Sequence, residues 1–245
     1  MKNFSLLLTV AWMSLAHPAL SAPSAHDILV SSDQARGGGL PGIVWEIKLA
    51  SRDGDQVDEP QRLLVKATGE SSVAEVIEPL RSRGLKILQV NHNMWLTKPG
   101  LSKPIPISPR QRMSGQASNG DIAATNYARD YDAQLVGMEN IDGEPCYVLE
   151  LNAKHKRATY DKIRYWVAAK RWVGVKAEFK SVSGKLLKTA SFQYNSTLAY
   201  GGKQLPFISK MTIRDALIDA ETVMEFGSAQ VKKVATAEFD LGQLQ

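Results

Sequence analysis

With one cysteine in 245 residues, the chain can form no internal disulfide, so its fold must rest on packing. That residue, Cys146, stands in the strand-like run Pro145-Cys146-Tyr147-Val148-Leu149, where a small buried side chain is the expected role. No cysteine lies near the N-terminus to carry a lipid. Histidine is almost as scarce: beyond residue 21 only His26, His92 and His155 remain, which leaves a nucleophile few bases to work with. His92 lies between two asparagines and His155 between Lys154 and Lys156, so both read as solvated. No HExxH, CxxC, GxSxG, Walker-type or GxGxxG arrangement occurs in that part of the chain. The sequence therefore points away from an enzyme and offers no catalytic residue, metal ligand or cofactor site. Asp53 with Asp55 and Asp130 with Asp132 read as turn chemistry rather than cation ligands.

Charge of one sign is lacking too. Thirty Lys and Arg against 25 Asp and Glu leave +5, or +4 without Lys2. That mild excess suits peripheral contact with anionic lipid surfaces, and there is no clustered basic face of the kind nucleic acid requires. Long apolar runs are confined to the start. Lys2, the apolar stretch Phe4 to Leu15 and the small residues Ala19-Leu20-Ser21-Ala22 have the layout of a secretory signal peptide, too short for a membrane span. Cleavage is expected after Ser21, giving residues 1–21 as signal and 22–245 as one soluble exported domain.

What the chain has in quantity is two-residue alternation. Ser24 can cap a short helix over Ala25 to Arg36, ended by Gly37-Gly38-Gly39. Then Ile43, Trp45, Ile47 and Leu49 alternate with Val44, Glu46, Lys48 and Ala50, as in a half-buried strand. Arg62 to Thr68 returns as the next strand. A further strand is expected to end at Glu78, because Pro79 would break a helix there. Leu85 to Val90 and Met94 to Thr97 read as two more. Lys98 to Arg112 carries Pro99, Pro104, Pro106 and Pro109, so an extended connection without regular hydrogen bonding is expected, followed by a helix over Asn119 to Ala128 with Asn119 as cap. From Tyr131 onward short strands repeat between turn residues. This pattern predicts a mainly antiparallel β fold with few helices, a sandwich or barrel rather than βαβ units.

Several stretches together are similar to a known family: Met94-Trp95-Leu96-Thr97-Lys98-Pro99, Ile107-Ser108-Pro109-Arg110-Gln111-Arg112-Met113-Ser114-Gly115, the strand Gly143 to Leu151, Lys162-Ile163-Arg164-Tyr165-Trp166-Val167, Gly184-Lys185-Leu186-Leu187-Lys188-Thr189 and the closing Phe239-Asp240-Leu241. The chain resembles the outer-membrane lipoprotein-sorting proteins, relatives of the LolA carriers that include an uncharacterised spirochaete lipoprotein branch. The resemblance implies a curled, incomplete antiparallel barrel of about ten strands covered by short helices. It also implies an apolar cavity for acyl chains and a role as periplasmic carrier or holder of lipids or lipid-modified proteins, in transport toward the outer membrane. On that reading Trp45, Ile47, Leu149, Tyr165, Phe179, Phe192 and Ile213 line the cavity, while Ile28, Leu29, Trp95, Ile122 and Tyr127 form its lid. The partners implied are acyl chains and an inner-membrane transporter or outer-membrane acceptor, the protein acting as a monomer. A second reading gives the same fold a non-catalytic regulatory or transporter-docking role in the envelope.

Overall fold

The computed structural model describes residues 23–69, 71–123 and 126–243; the expected signal segment and its cleavage point lie outside them. A first meander runs through β1 (Ile43–Asp53), β2 (Gln61–Thr68), β3 (Ser71–Glu78), β4 (Lys86–Val90), β5 (Asn93–Thr97) and β6 (Ile105–Ile107). A second runs through β7 (Tyr131–Ile141), β8 (Glu144–Ala153), β9 (Lys162–Ala168), β10 (Gly174–Lys180), β11 (Leu186–Gln193), β12 (Lys210–Asp215) and β13 (Ala220–Phe226). The two are joined where β1 lies antiparallel to β13, Ile47 opposite Phe226 and Asp53 opposite Ala220. The order across the sheet is therefore β7 to β13 and then β1 to β6. Its two edges, β6 and β7, are not paired with each other, so the barrel is incomplete.

Fifteen strands take part, counting the short pieces Gln56–Val57 and Gln230–Val231 beside β1, more than the ten or so expected. One reason is Pro106. The Pro-rich connection does form a strand: Ile105–Ile107 pairs with Leu96, Trp95 and Met94. Proline is tolerated there because β6 is an edge, where its missing N–H is not needed by a neighbour.

Alternation decides which face is inside. In β1, Ile43, Trp45, Ile47 and Leu49 are buried while Glu46 and Lys48 are exposed, as a period of two requires on a one-sided sheet. The concave side gathers the main core from both meanders, Leu63 and Val65 meeting Tyr165, Phe179 and Met211 in one cluster. The convex side of β3 to β5 has its own small cluster, Val73 and Leu88 under Phe239 of the C-terminal segment. Lys66 Nζ donates to Glu238 Oε1 at 2.6 Å to hold that segment down.

The open side is covered by helical turns and a long connection. α1 (Ala25–Gln34) forms as expected, Ser24 accepting the N–H of Asp27 at 3.1 Å. The single helix expected over Asn119 to Ala128 is instead two separate turns, α2 (Asn119–Ile122) and α3 (Tyr127–Asp130). Ser118, not Asn119, is the cap of α2, because it and Asp121 make a reciprocal capping box; Ala123 then turns extended and ends the helix. Between β6 and α2 the chain dips into the barrel as a ribbon, Arg112–Ser114 against Ala117–Ser118. Its tip, Gly115, lies with φ +50° where an added Cβ would sit 2.3 Å from Ser51 Oγ and 2.4 Å from Thr222 Oγ1. Both partners are buried and hydrogen-bonded to each other, so they have no room to retreat. We expect Gly115→Ala to unseat the ribbon and lower stability by about 1–3 kcal/mol, read as a shift in urea midpoint; an unchanged midpoint would show that the ribbon does not seat this tightly.

Candidate functional site

The concave face and its cover form the site. The seven residues expected to line a cavity fall on one face and in one cluster: Ile47, Leu149, Tyr165, Phe179 and Ile213 are fully buried, Trp45 and Phe192 nearly so. Four of the five expected lid residues, Ile28, Leu29, Ile122 and Tyr127, press onto that cluster from the open side. Trp95 does not. It faces the convex side, beside the Val73, Leu88 and Phe239 cluster, and its neighbour Met94 takes the inward position with Ile87 and Ala123. The strand register sets these side chains one residue out of step with the expectation, and a one-residue step exchanges faces.

The aromatic side chains interlock. Tyr127 of α3 stands edge-on to Tyr131 and to Tyr165, each 5.4 Å between centroids, and Tyr165 is edge-on to Phe192 at 6.1 Å. Tyr160 stacks on Phe179 at 3.9 Å. Edge-to-face pairs of this kind add about 0.5–1.5 kcal/mol each beyond their burial, so the closed arrangement is specific and not merely greasy.

Two buried polar groups lie under the cover, and neither is signalled by the sequence. The first is at the end of α1. Asp33 Oδ2 accepts the N–H of Ala128 at 2.9 Å, which ties α1 to α3. Burial pushes the Asp33 carboxyl up to about 7, against the backbone N–H groups of Ala128 and Tyr127 and the charge of Arg36. Arg36 is itself buried, and its guanidinium lies over the rings of Phe192 at 4.9 Å and Tyr127 at 5.3 Å. Around it Asp33 Oδ1, Arg36 Nη1, Tyr165 Oη and Tyr194 Oη are all buried, with Tyr165 Oη in polar contact with Ser32 and Arg36. An arginine preceding three glycines reads locally as the tail of a helix. Its burial follows from the way α1 is laid across the barrel, which no local pattern signals.

The second group pins the connection. Lys188 of β11, buried, donates to the carbonyl of Gln116 and to Ser118 Oγ. Asp121 Oδ2 accepts from the Ser118 N–H at 2.9 Å and from Tyr160 Oη at 2.8 Å. Burial raises the Asp121 carboxyl and lowers the Lys188 ammonium, each opposed by the other's charge. At the rim, Arg110 bridges from the connection to Asp161 at 2.7 Å. A wider crevice of about 510 Å³, lined by Met94, Trp95, Pro106, Ile107 and Pro109 among others, runs along the β5–β6 edge.

Among solved structures the chain is similar to a LolA superfamily protein from Nitrosomonas europaea, with a TM-score of 0.80 and 32% identity over 89% of this chain and 98% of that one. The chain belongs to the LolA superfamily. The same fold appears in a DUF1329 family protein from Desulfovibrio piger (TM-score 0.76, 22% identity, 90% of this chain and 98% of that one). It appears again in an outer membrane lipoprotein-sorting protein domain from Vibrio parahaemolyticus (TM-score 0.76, 17% identity, 90% and 97%). A family described only as uncharacterised proteins matches residues 68–245, and no curated protein matches the chain. The incomplete, helix-covered antiparallel barrel is thus the LolA-like architecture, and the covered concave face is where this chain departs from a simple packed sheet.

Proposed function

We propose that this LolA-superfamily chain is a carrier or holder of lipids or lipid-modified proteins in the bacterial periplasm, and that it works by reversible burial of acyl chains between the concave face and its cover. One observation carries the reading: the apolar interior is closed by α1, α2, α3 and the connection, not by strand pairing between β6 and β7. Opening it requires no break in the sheet. In the closed form Ile28, Leu29, Ile122 and Tyr127 fill the place an acyl chain would take. Burying four such side chains is worth about 1.5–3 kcal/mol each, and a sixteen-carbon acyl chain gains about 12 kcal/mol in all. The two totals are comparable, so exchange of cover for cargo is near balance. That is what a carrier needs in order to release its load. The buried polar groups around Arg36 point the same way, since they could donate to the ester or head group of a bound lipid. No bond is made or broken in such a cycle, so no catalytic residue is called for.

The test is native mass spectrometry of protein purified from the periplasm without detergent, followed by organic extraction. The expected result is a stoichiometric phospholipid, other lipid or acylated peptide. A clean unliganded mass that also stays unchanged after incubation with lipid vesicles would mean that the interior is permanent core, and the proposal would fall.

A further inference from the structure

His92, Asp130 and His155 meet at the end of the seam between the two sheet edges, although each comes from a different segment. His92 sits in the β4–β5 turn, Asp130 closes α3 just before β7, and His155 follows β8. His92 Nε2 lies 3.2 Å and His155 Nε2 3.6 Å from Asp130 Oδ1, and the two imidazole rings are 4.0 Å apart, nearly perpendicular. His92 Nε2 and both nitrogens of His155 are buried atoms, with Asp130 as their shared polar neighbour. Two imidazoles and one carboxylate from three separate segments thus converge on one point.

We propose that these three side chains form a binding site for a divalent transition metal of the zinc type. Zinc binds imidazole nitrogen and carboxylate oxygen at about 2.0–2.2 Å in tetrahedral geometry, which places neighbouring ligand atoms about 3.3–3.6 Å apart. The observed 3.2 and 3.6 Å bracket that spacing, and all three ligand atoms lie within 4.8 Å of one another. The side chains are 19–32% exposed, so the cluster lies close to the surface although its nitrogens are covered. A crevice of about 30 Å³ lined by Gln89, His92, Asn126 and Asp130 opens onto the cluster, enough for a water molecule or ion. The carboxylate is already oriented: Arg129 donates to Asp130 Oδ1 at 2.6 Å and to Oδ2 at 3.1 Å. A carboxylate has lone pairs to spare for a metal as well, and an outer partner that fixes a ligand is a common feature of metal sites. The positive charge of Arg129, with Lys154, Lys156 and Arg157 close by in sequence, weakens the site and sets the expected affinity in the micromolar range.

The ion would do something no single side chain does here. His92 belongs to the meander that ends at β6, and His155 to the one that begins at β7, so one metal would tie the two meanders together on the side away from the β1–β13 junction, where β6 and β7 are not paired. This stands apart from acyl-chain binding, and the test separates them. Metal-free protein, kept as the full exported chain, is titrated with Zn²⁺ by calorimetry and with Co²⁺ by absorbance, and its thermal midpoint is followed with and without metal. One ion per chain is expected, with a raised midpoint and a tetrahedral Co²⁺ spectrum. His92→Ala and His155→Ala should each weaken binding at least tenfold, while His26→Ala on the exposed face of α1 changes nothing. Circular dichroism confirms that the variants fold, and His155→Gln provides a second, size-matched variant if the alanine does not. Absence of binding at millimolar Zn²⁺, or binding that both histidine substitutions leave intact, would overturn the proposal.

Discussion

Gly174→Ala is expected to destabilise the protein by about 3 kcal/mol, near the upper end of what one added methyl does in a packed core. An added Cβ at residue 174 would fall 1.8 Å from Tyr165 Oη and 2.2 Å from Cζ, so the ring itself is in the way. A flexible side chain would swing aside. Tyr165 cannot, because it is fully buried and held edge-on by Tyr127 and Phe192. The strain therefore passes to α3 and the cover. Tyr165→Leu alone should also be costly, by a few kcal/mol for the lost aromatic volume. Together the two changes should cost less than their sum, with a coupling of about 1–3 kcal/mol, since the shorter side chain vacates the space that the new methyl enters. Urea unfolding of the four proteins gives the cycle. Strict additivity would show that Gly174 and Tyr165 are not in conflict and that the ring has freedom the structure does not suggest.

The next largest effect concerns Asp33 and is a dependence on pH. An unfolded aspartate titrates near 3.9, whereas burial holds Asp33 up at about 7. Below about pH 4 both states carry the proton and the stabilisation from folding around a neutral carboxyl is complete. As pH rises toward and through 7 the unfolded chain has already given its proton up, and the folded state must either keep a proton or bury a charge, so that stability is lost. A shift of about three units sets a ceiling of about 4 kcal/mol on the loss. In the Asp33→Asn variant the side-chain amide is neutral throughout. The stability difference between wild type and this variant should therefore move in favour of the variant between about pH 4 and pH 8, and other carboxylates cancel in the comparison. Parallel pH profiles for the two proteins would show that Asp33 does not titrate in this range. Because Asp33 ties α1 to α3, the same measurement reports on how firmly the cover is latched.

Regular strands are legible from sequence because burial on one face writes itself into every second residue. Trp45, Ile47 and Leu49 announce an inside, Glu46 and Lys48 an outside, and the stop at Glu78 follows from Pro79. Legibility fails where a second, smaller core lies on the other face. Met94 and Trp95 are both apolar, and only the C-terminal segment folding back with Phe239 decides that Trp95 belongs outside. It fails again in the connection, where Pro106 reads as incompatible with pairing, although an edge strand accepts it. Arg36, Asp33 and the three side chains at the seam are invisible for a different reason. Their environment is assembled from segments distant in sequence, and a histidine beside lysines or asparagines carries no local sign of the histidine it will face.

The strand order has a consequence for how the molecule comes into being. Within each meander neighbours in space are neighbours in sequence, so β1 to β6 and β7 to β13 can each zip together by local hairpins. The join between β13 and β1 is the opposite case: Ile47 must find Phe226 across most of the chain. Contacts that distant form late and slowly. A chain emerging N-terminus first would present the outer edge of β1, with its apolar Trp45 and Ile47, long before the strand that covers it exists. Until then the first half is an unpaired sheet edge exposed to other chains, and its safety depends on the last strands to arrive.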